Sequence, residues 1–183
     1  TVDCGVTAYE ALEVAAAAGM AVIVTDHHQA REVLPPALAM INPNRMDEPF
    51  PHKELAGVGV AFYLAMALNR AFRKRGRFTP ETPEPDLKKL LDLVAVGTIA
   101  DVASLTGINR PLVFAGLRAA GNTVHLGLRM LMDHLRLGDG LSAGQVGFQL
   151  GPRINAGGRL GKGSLGAELL FTENPERAKE IVE

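Results

Sequence analysis

Tryptophan is absent from this chain and aromatic residues make up only 5% of it. A core with so few rings must be filled by Ala, Leu and Val, which favours helices packed on a parallel sheet over an all-β sandwich. Cysteine occurs once, as Cys4, so no disulfide can form within the chain. A lone cysteine fits an intracellular setting. No stretch approaches the roughly 18 apolar residues of a membrane-spanning helix. A positively charged and then apolar leader of the secretory kind is also missing. These absences lead us to expect a cytoplasmic protein without membrane association. Excess charge of either sign is lacking too, with 19 Lys+Arg against 20 Asp+Glu and a formal net charge of -1. Bulk electrostatics therefore draw no polyanion to this surface, and such a partner would have to be held by a local cluster or by metal ions.

What is present is ordinary for a globular protein. The 183 residues are 47% hydrophobic and 21% charged, enough for one domain with a sizeable core, or a domain with a helical extension. The first third alternates strand and helix signals. Thr1, Val2 and Asp3 read as the end of a strand already under way, so the chain is expected to be a fragment. Gly5 allows a turn, and Thr7 with Glu10 forms a capping box for a helix over 8–18. Gly19 stops that helix. The apolar, β-branched run 20–25 reads as a parallel strand buried on both faces. A third strand over 37–41 closes at Asn42-Pro43. This βαβ pattern predicts an α/β fold with a parallel, doubly wound (Rossmann-like) sheet followed by a helical region. We place the α/β part at 1–105 and the helical part at 106–183.

From Gly57 onward the periodicity is helical. Helices are expected over 58–74, 86–97, 111–120 and 124–137. A capping box at Ser142 and Gln145 starts a short helix, and Asn174-Pro175 starts the last one.

The sharpest chemical feature is Asp26-His27-His28, directly after the second strand. Open parallel sheets bind ligands at the carboxyl ends of their strands, and Asp3 stands at the equivalent end of the preceding strand. Asp101 is a carboxylate in an otherwise apolar stretch, where an unpaired buried charge is costly. Asp3, His27 and Asp101 form a mixed oxygen and nitrogen set suited to a divalent cation, with the imidazole shifting preference from Mg²⁺ toward Mn²⁺ or Zn²⁺. For Asp3 alone, a helix cap is the commoner role. A second feature is the Gly-rich segment 151–159, which carries Arg153, Asn155 and Arg159. Guanidinium groups grip phosphate bidentately, and glycine lets backbone approach a ligand closely. Taken alone, this segment fits a solvated turn equally well. The basic run Arg70, Arg73, Lys74, Arg75 and Arg77 could track phosphates, but a solvated helix end complementing the macrodipole is the commoner role. His52, His125 and His134 lack ligand-like spacing and read as structural or surface residues.

The sequence Val24-Thr25-Asp26-His27-His28 resembles the signature of the DHH phosphoesterase superfamily. That triplet does not choose among its branches. Three further stretches, 55–62, 92–102 with Asn109-Arg110, and 148–160, resemble the RecJ-type nucleases in the right order along nearly the whole chain. The resemblance implies a 5′-to-3′ exonuclease that hydrolyses phosphodiester bonds of single-stranded DNA in repair and recombination. It further implies two ions, Mn²⁺ or Mg²⁺. Asp3 would bridge them, and His27 and Asp101 would bind one of the two. Among the catalytic residues, His28 would contact the substrate phosphate and Asp26 would orient the pair from behind. Arg153, Asn155 and Arg159 would meet the 5′ end or the DNA backbone. The pattern departs from the family in one respect: the aspartate-rich strand that completes a two-metal site is missing upstream, so this chain is expected to hold part of the ligand set. The alternatives are a DHH phosphodiesterase acting on cyclic dinucleotides or short oligonucleotides, and a scaffold that has lost its metals.

Overall fold

Parallel pairing starts with the first residues of the chain. The computed structural model describes residues 1–138, 140–159 and 163–183, and these group into two units. Unit 1 comprises Thr1–Leu87 with Thr106–Asn109, and unit 2 comprises Lys88–Leu105 with Arg110–Glu183.

In unit 1, β1 (Ile23–Thr25) pairs in parallel with β2 (Ala39–Ile41), with Ile23 opposite Ala39 and Thr25 opposite Ile41. Residues 1–3 flank the other edge of β1 through a parallel bridge between Val2 and Thr25. The Thr1 amine donates to the Ile23 carbonyl at 2.7 Å, and the Asp3 N–H donates to the Thr25 carbonyl at 2.8 Å. The expected α/β fold with a parallel sheet is therefore present, with strands shorter than the apolar runs that announce them. Val24 and Thr25 are buried as expected of an inner strand, whereas Ile23 remains 47% exposed. Gly5 turns the chain at φ 122°, a conformation open to glycine.

Helix α1 (Tyr9–Ala17) begins one residue later than predicted, with Ala8 as its N-cap and no side-chain capping bond. Thr7 is taken up by the preceding turn, in which the Ala8 N–H donates to the Gly5 carbonyl at 3.1 Å. The expected capping box does not form. Helix α2 (Gly57–Lys74) follows a loop stapled by Lys53, whose ammonium donates to the carbonyls of Pro43 and Glu48 at 2.5 and 2.7 Å.

Unit 2 is helical. A 3₁₀ turn over Leu87–Leu90 leads into α3 (Leu91–Ala100), so the predicted helix over 86–97 starts later and runs further. After α4 (Asn109–Ala120) and α5 (Leu126–His134) come α6 (Ala143–Gln145) and a π-helical turn over Val146–Leu150. Then follow α7 (Gly151–Ile154), α8 (Ala156–Arg159), α9 (Leu165–Phe171) and α10 (Pro175–Val182). The core gathers Leu128, Leu131, Val146, Leu150 and Leu169. Both predicted caps form: Ser142 exchanges hydrogen bonds with Gln145, and the Asn174 side chain accepts from the Arg177 N–H at 3.0 Å. The Gly-rich segment 151–159 is helical, where the sequence admits a turn.

Candidate functional site

The carboxyl ends of three neighbouring strand segments place Asp3, Asp26 and the loop after β2 side by side. Asp26 is the centre of the arrangement. Its side chain is 1% exposed and collects four hydrogen bonds. Oδ2 accepts from the Val6 N–H at 2.9 Å. Oδ1 accepts from the backbone N–H groups of His27 at 2.8 Å and His28 at 3.1 Å, and it lies 2.7 Å from His28 Nδ1. A carboxylate here can only accept, so the His28 ring presents Nδ1–H to it and turns Nε2 outward. Burial alone would raise the Asp26 pKa, but the bonds from Val6, His28 and His27 outweigh it and hold the carboxyl below its ordinary value.

Two asparagines from the loop after β2 grip the same segment from the other side. Asn42 Nδ2 donates to the His28 carbonyl at 2.9 Å, and Asn44 Nδ2 donates to the His27 carbonyl at 2.6 Å. The Asn44 N–H in turn donates to Asn42 Oδ1 at 2.7 Å. The histidine pair is thus fixed in backbone and, for His28, in ring orientation.

Asp3 sits at φ 62°, a left-handed conformation that Asp tolerates better than most residues. Its Oδ1 lies 3.1 Å from His27 Nε2, with the Asp3 side chain 57% exposed and that of His27 14%. One ligand atom each from Asp3, His27 and His28 fall within 4.8 Å of one another. The first residue of α2 closes the back of this group. A Cβ at Gly57 would stand 2.1 Å from Asp3 Oδ1, so only glycine leaves room for the carboxylate. Sequence reasoning missed Asn42, Asn44 and Gly57. Asn42 was visible only as the residue that closes a strand before Pro43.

The remaining predicted residues belong to unit 2. Asp101 follows α3 as its C-cap and is exposed. The buried acid of α3 is Asp92 instead, 2% exposed, accepting from Thr123 Oγ1 at 2.5 Å and the Leu93 N–H at 2.7 Å. Arg153 and Asn155 are exposed on α7 and at its C-cap, and Arg153 donates to the Gln149 carbonyl at 3.1 Å. The backbone of Arg159 lies in α8, while its side chain falls outside the described residues, as does Leu160 at the end of the 148–160 stretch. Of the other histidines, His52 lies 3.3 Å from Glu54, and His125 Nε2 is 2.9 Å from the Lys89 carbonyl.

A parallel α/β unit with a carboxylate and two imidazoles at its strand ends matches the family model described as "DHH family, N-terminal domain" over residues 1–98. The chain belongs to the DHH family. Among curated relatives it is 45% identical over 183 residues to the single-stranded-DNA-specific exonuclease RecJ of Haemophilus influenzae, covering 99% of this chain and 32% of that protein. It is 38% identical to the RecJ of Thermus thermophilus, covering 100% of this chain and 25% of that protein. The crystal structure of an exonuclease RecJ bound to manganese superposes with a TM-score of 0.82 at 38% identity, over 100% of this chain and 43% of that one. The Thermus thermophilus RecJ in complex with Mg²⁺ gives a TM-score of 0.64 at 37% identity, over 100% of this chain and 24% of that one. The chain spans about a third of the length of the first curated relatives it matches.

Proposed function

We propose that this chain is the metal-holding part of a divalent-cation-dependent exonuclease that hydrolyses single-stranded DNA, with 5′-to-3′ polarity, in a cytoplasmic enzyme of DNA repair and recombination. The observation that carries the reading is the cluster of Asp3, His27 and His28 on a loop braced by Asp26. Its donors fit the ion. The Asp3 carboxylate oxygen and the His27 Nε2, 3.1 Å apart, form a mixed pair that suits Mn²⁺ better than an all-oxygen site would, and the space that Gly57 leaves keeps the Asp3 carboxylate in place. A bound divalent ion supplies Lewis-acid polarisation of a phosphoryl oxygen and a water of lowered pKa.

The chain's own residues do the rest. Asp3 and His27 offer their oxygen and nitrogen to the same point. Asp26 holds the His28 ring so that Nε2 faces outward, where a protonated ring donates to a phosphate oxygen. Asn42 and Asn44 stop the two histidine carbonyls from shifting as substrate comes and goes. The roles that the resemblance implies for Asp101, Arg153, Asn155 and Arg159 belong to the same reading, each open to its own substitution.

The test is hydrolysis by the intact protein with Mn²⁺, wild type against Asp3→Ala and His27→Ala. The panel comprises a single strand, the matching duplex and a cyclic dinucleotide, with Mn²⁺ binding followed by calorimetry. We expect the single strand to be cut from its 5′ end, the duplex to be spared, and each variant to lose Mn²⁺ affinity and at least about 100-fold in rate. Undiminished turnover by folded variants would remove the cluster from the mechanism. Cleavage of the cyclic dinucleotide alone would transfer the reading to a small-molecule phosphodiesterase.

A further inference from the structure

Helix α2 links the candidate metal cluster to a surface of very different character. Gly57, its first residue, lies against Asp3, and Lys74, its last, lies 17 residues on, about 26 Å away at the usual helical rise. That far end is a knuckle built by the chain itself. Gly76 adopts φ 62°, the Arg77 N–H donates to the Phe72 carbonyl at 3.0 Å, and the Gly76 N–H donates to the Arg73 carbonyl at 3.1 Å. The Phe72 and Phe78 rings meet edge to face with centroids 6.2 Å apart. This is the double carbonyl closure with an apolar clasp that ends helices firmly. The knuckle therefore presents its side chains from a fixed backbone.

Five cations lie in the eight residues 70–77, all of them exposed. Glu84 takes up Arg73 through two hydrogen bonds. Among the described residues Arg70, Lys74, Arg75 and Arg77 form no ion pair, and Glu81 on the following loop accepts from Thr79 Oγ1 at 2.8 Å. On a chain of net charge -1 this is a concentrated positive island. Helical phase adds a direction. Eighteen residues make five turns of 3.6, so Arg75 returns to the helical line of Gly57, the line that faces Asp3. At 100° per residue Leu68 stands about 20° from that line and Phe72 about 60° to the same side of it, 44% and 40% exposed. An apolar and aromatic track that ends in cations is the combination that holds single-stranded nucleic acid, with bases against the rings and phosphates against the guanidinium groups.

We propose that Phe72, Lys74, Arg75 and Arg77 form a distal contact for a single DNA strand, separate from the cluster at the other end of α2. The proposal rests on the nuclease reading given above. A stacked strand advances about 3.4 Å per nucleotide, so a strand must be about eight nucleotides long to touch both ends of the helix.

Length dependence is therefore the test. The intact protein with Mn²⁺ is compared with a Lys74→Gln, Arg75→Gln, Arg77→Gln triple variant and with Phe72→Leu, which keeps the apolar clasp but removes the ring. The substrates are oligothymidylates of about three and about sixteen nucleotides. We expect the triple variant to bind the longer strand about ten-fold more weakly, with the slope of log affinity against log salt reduced by about 2. Phe72→Leu should weaken the longer strand with an unchanged slope, and the shorter one should be cut at the wild-type rate by both variants. Equal losses on both lengths, or no loss on the longer one with wild-type cleavage of both, would overturn the distal contact alone. A wild-type protein that cuts neither length would sink the nuclease reading and the distal contact with it.

Discussion

The Asp26 carboxyl is a buried charge that holds the histidine segment through four hydrogen bonds from Val6, His27 and His28. It is held below its ordinary pKa by backbone and imidazole donors that outweigh the cost of burial. A carboxyl depressed in the folded state adds stability that is present above its unfolded pKa of about 3.9 and fades as pH falls through the lower folded value. Asp26→Asn keeps the shape but turns an NH₂ toward N–H groups that need an acceptor. We expect it to cost about 2–4 kcal/mol at pH 7 by urea denaturation, a penalty that shrinks below about pH 4 as the wild type itself loses the charge. A penalty unchanged at low pH would mean that the carboxylate's charge is not what matters. At this scale the sequence was informative where chemistry is concentrated in adjacent letters. Asp26-His27-His28 and Asp3 are legible because strand ends are where parallel sheets bind. Asn42, Asn44 and Gly57 are not, because their importance comes from a hydrogen bond to a distant carbonyl or from space left empty, and neither leaves a local pattern.

Among the elements, the glycines of unit 2 explain why the segment 151–159 folds as it does. Gly and Arg together suggest a turn, yet Gly151 lies against Ala100, with a Cβ there 3.2 Å from the Ala100 Cβ, so the missing side chain lets two helices close up. Tertiary packing outweighs the poor helix propensity of glycine. The same device joins α5 to α9, where a Cβ at Gly127 would stand 1.7 Å from the Leu169 carbonyl oxygen. Backbone cannot step aside as a flexible side chain can. Gly127→Ala should therefore destabilise the protein by about 1–3 kcal/mol, even though alanine favours an isolated helix by about 1 kcal/mol. Chemical denaturation decides the sign, and a stabilised variant would show that the two helices can separate without cost. The caps at Ser142 and Asn174 were legible because a cap is a property of four consecutive residues. The missing cap at Thr7 was misjudged because a turn anchored by Gly5 had already claimed that residue.

For the molecule as a whole, the proposed metal cluster lies inside unit 1, so its occupancy should register there first. Mn²⁺ at about 100 times its dissociation constant should stabilise that unit by about 2.7 kcal/mol, and chelation should reverse the effect. Hydrogen exchange at the Val6, His27 and His28 amides, all bound to Asp26, is the place to read it, and equal protection in Asp3→Ala would dissociate the ion from the cluster. Unit 1 also depends on a short stretch far along the chain. Glu54 Oε1 accepts from the Ile108 N–H at 3.0 Å, and the Glu54 carbonyl accepts from Asn109 Nδ2 at 2.6 Å, with Asn109 itself fully buried. A Cβ at Gly107 would stand 1.7 Å from Glu54 Oε1, so the fit there is close. The chain thus leaves unit 1 after Leu87, returns for Thr106–Asn109 and leaves again. For a polypeptide growing from its N-terminus, this sets an order of completion. The strands and the histidine loop emerge early, but the clasp on Glu54 cannot close until residue 109 is clear of the ribosome, by which time α3 of the second unit has already been made.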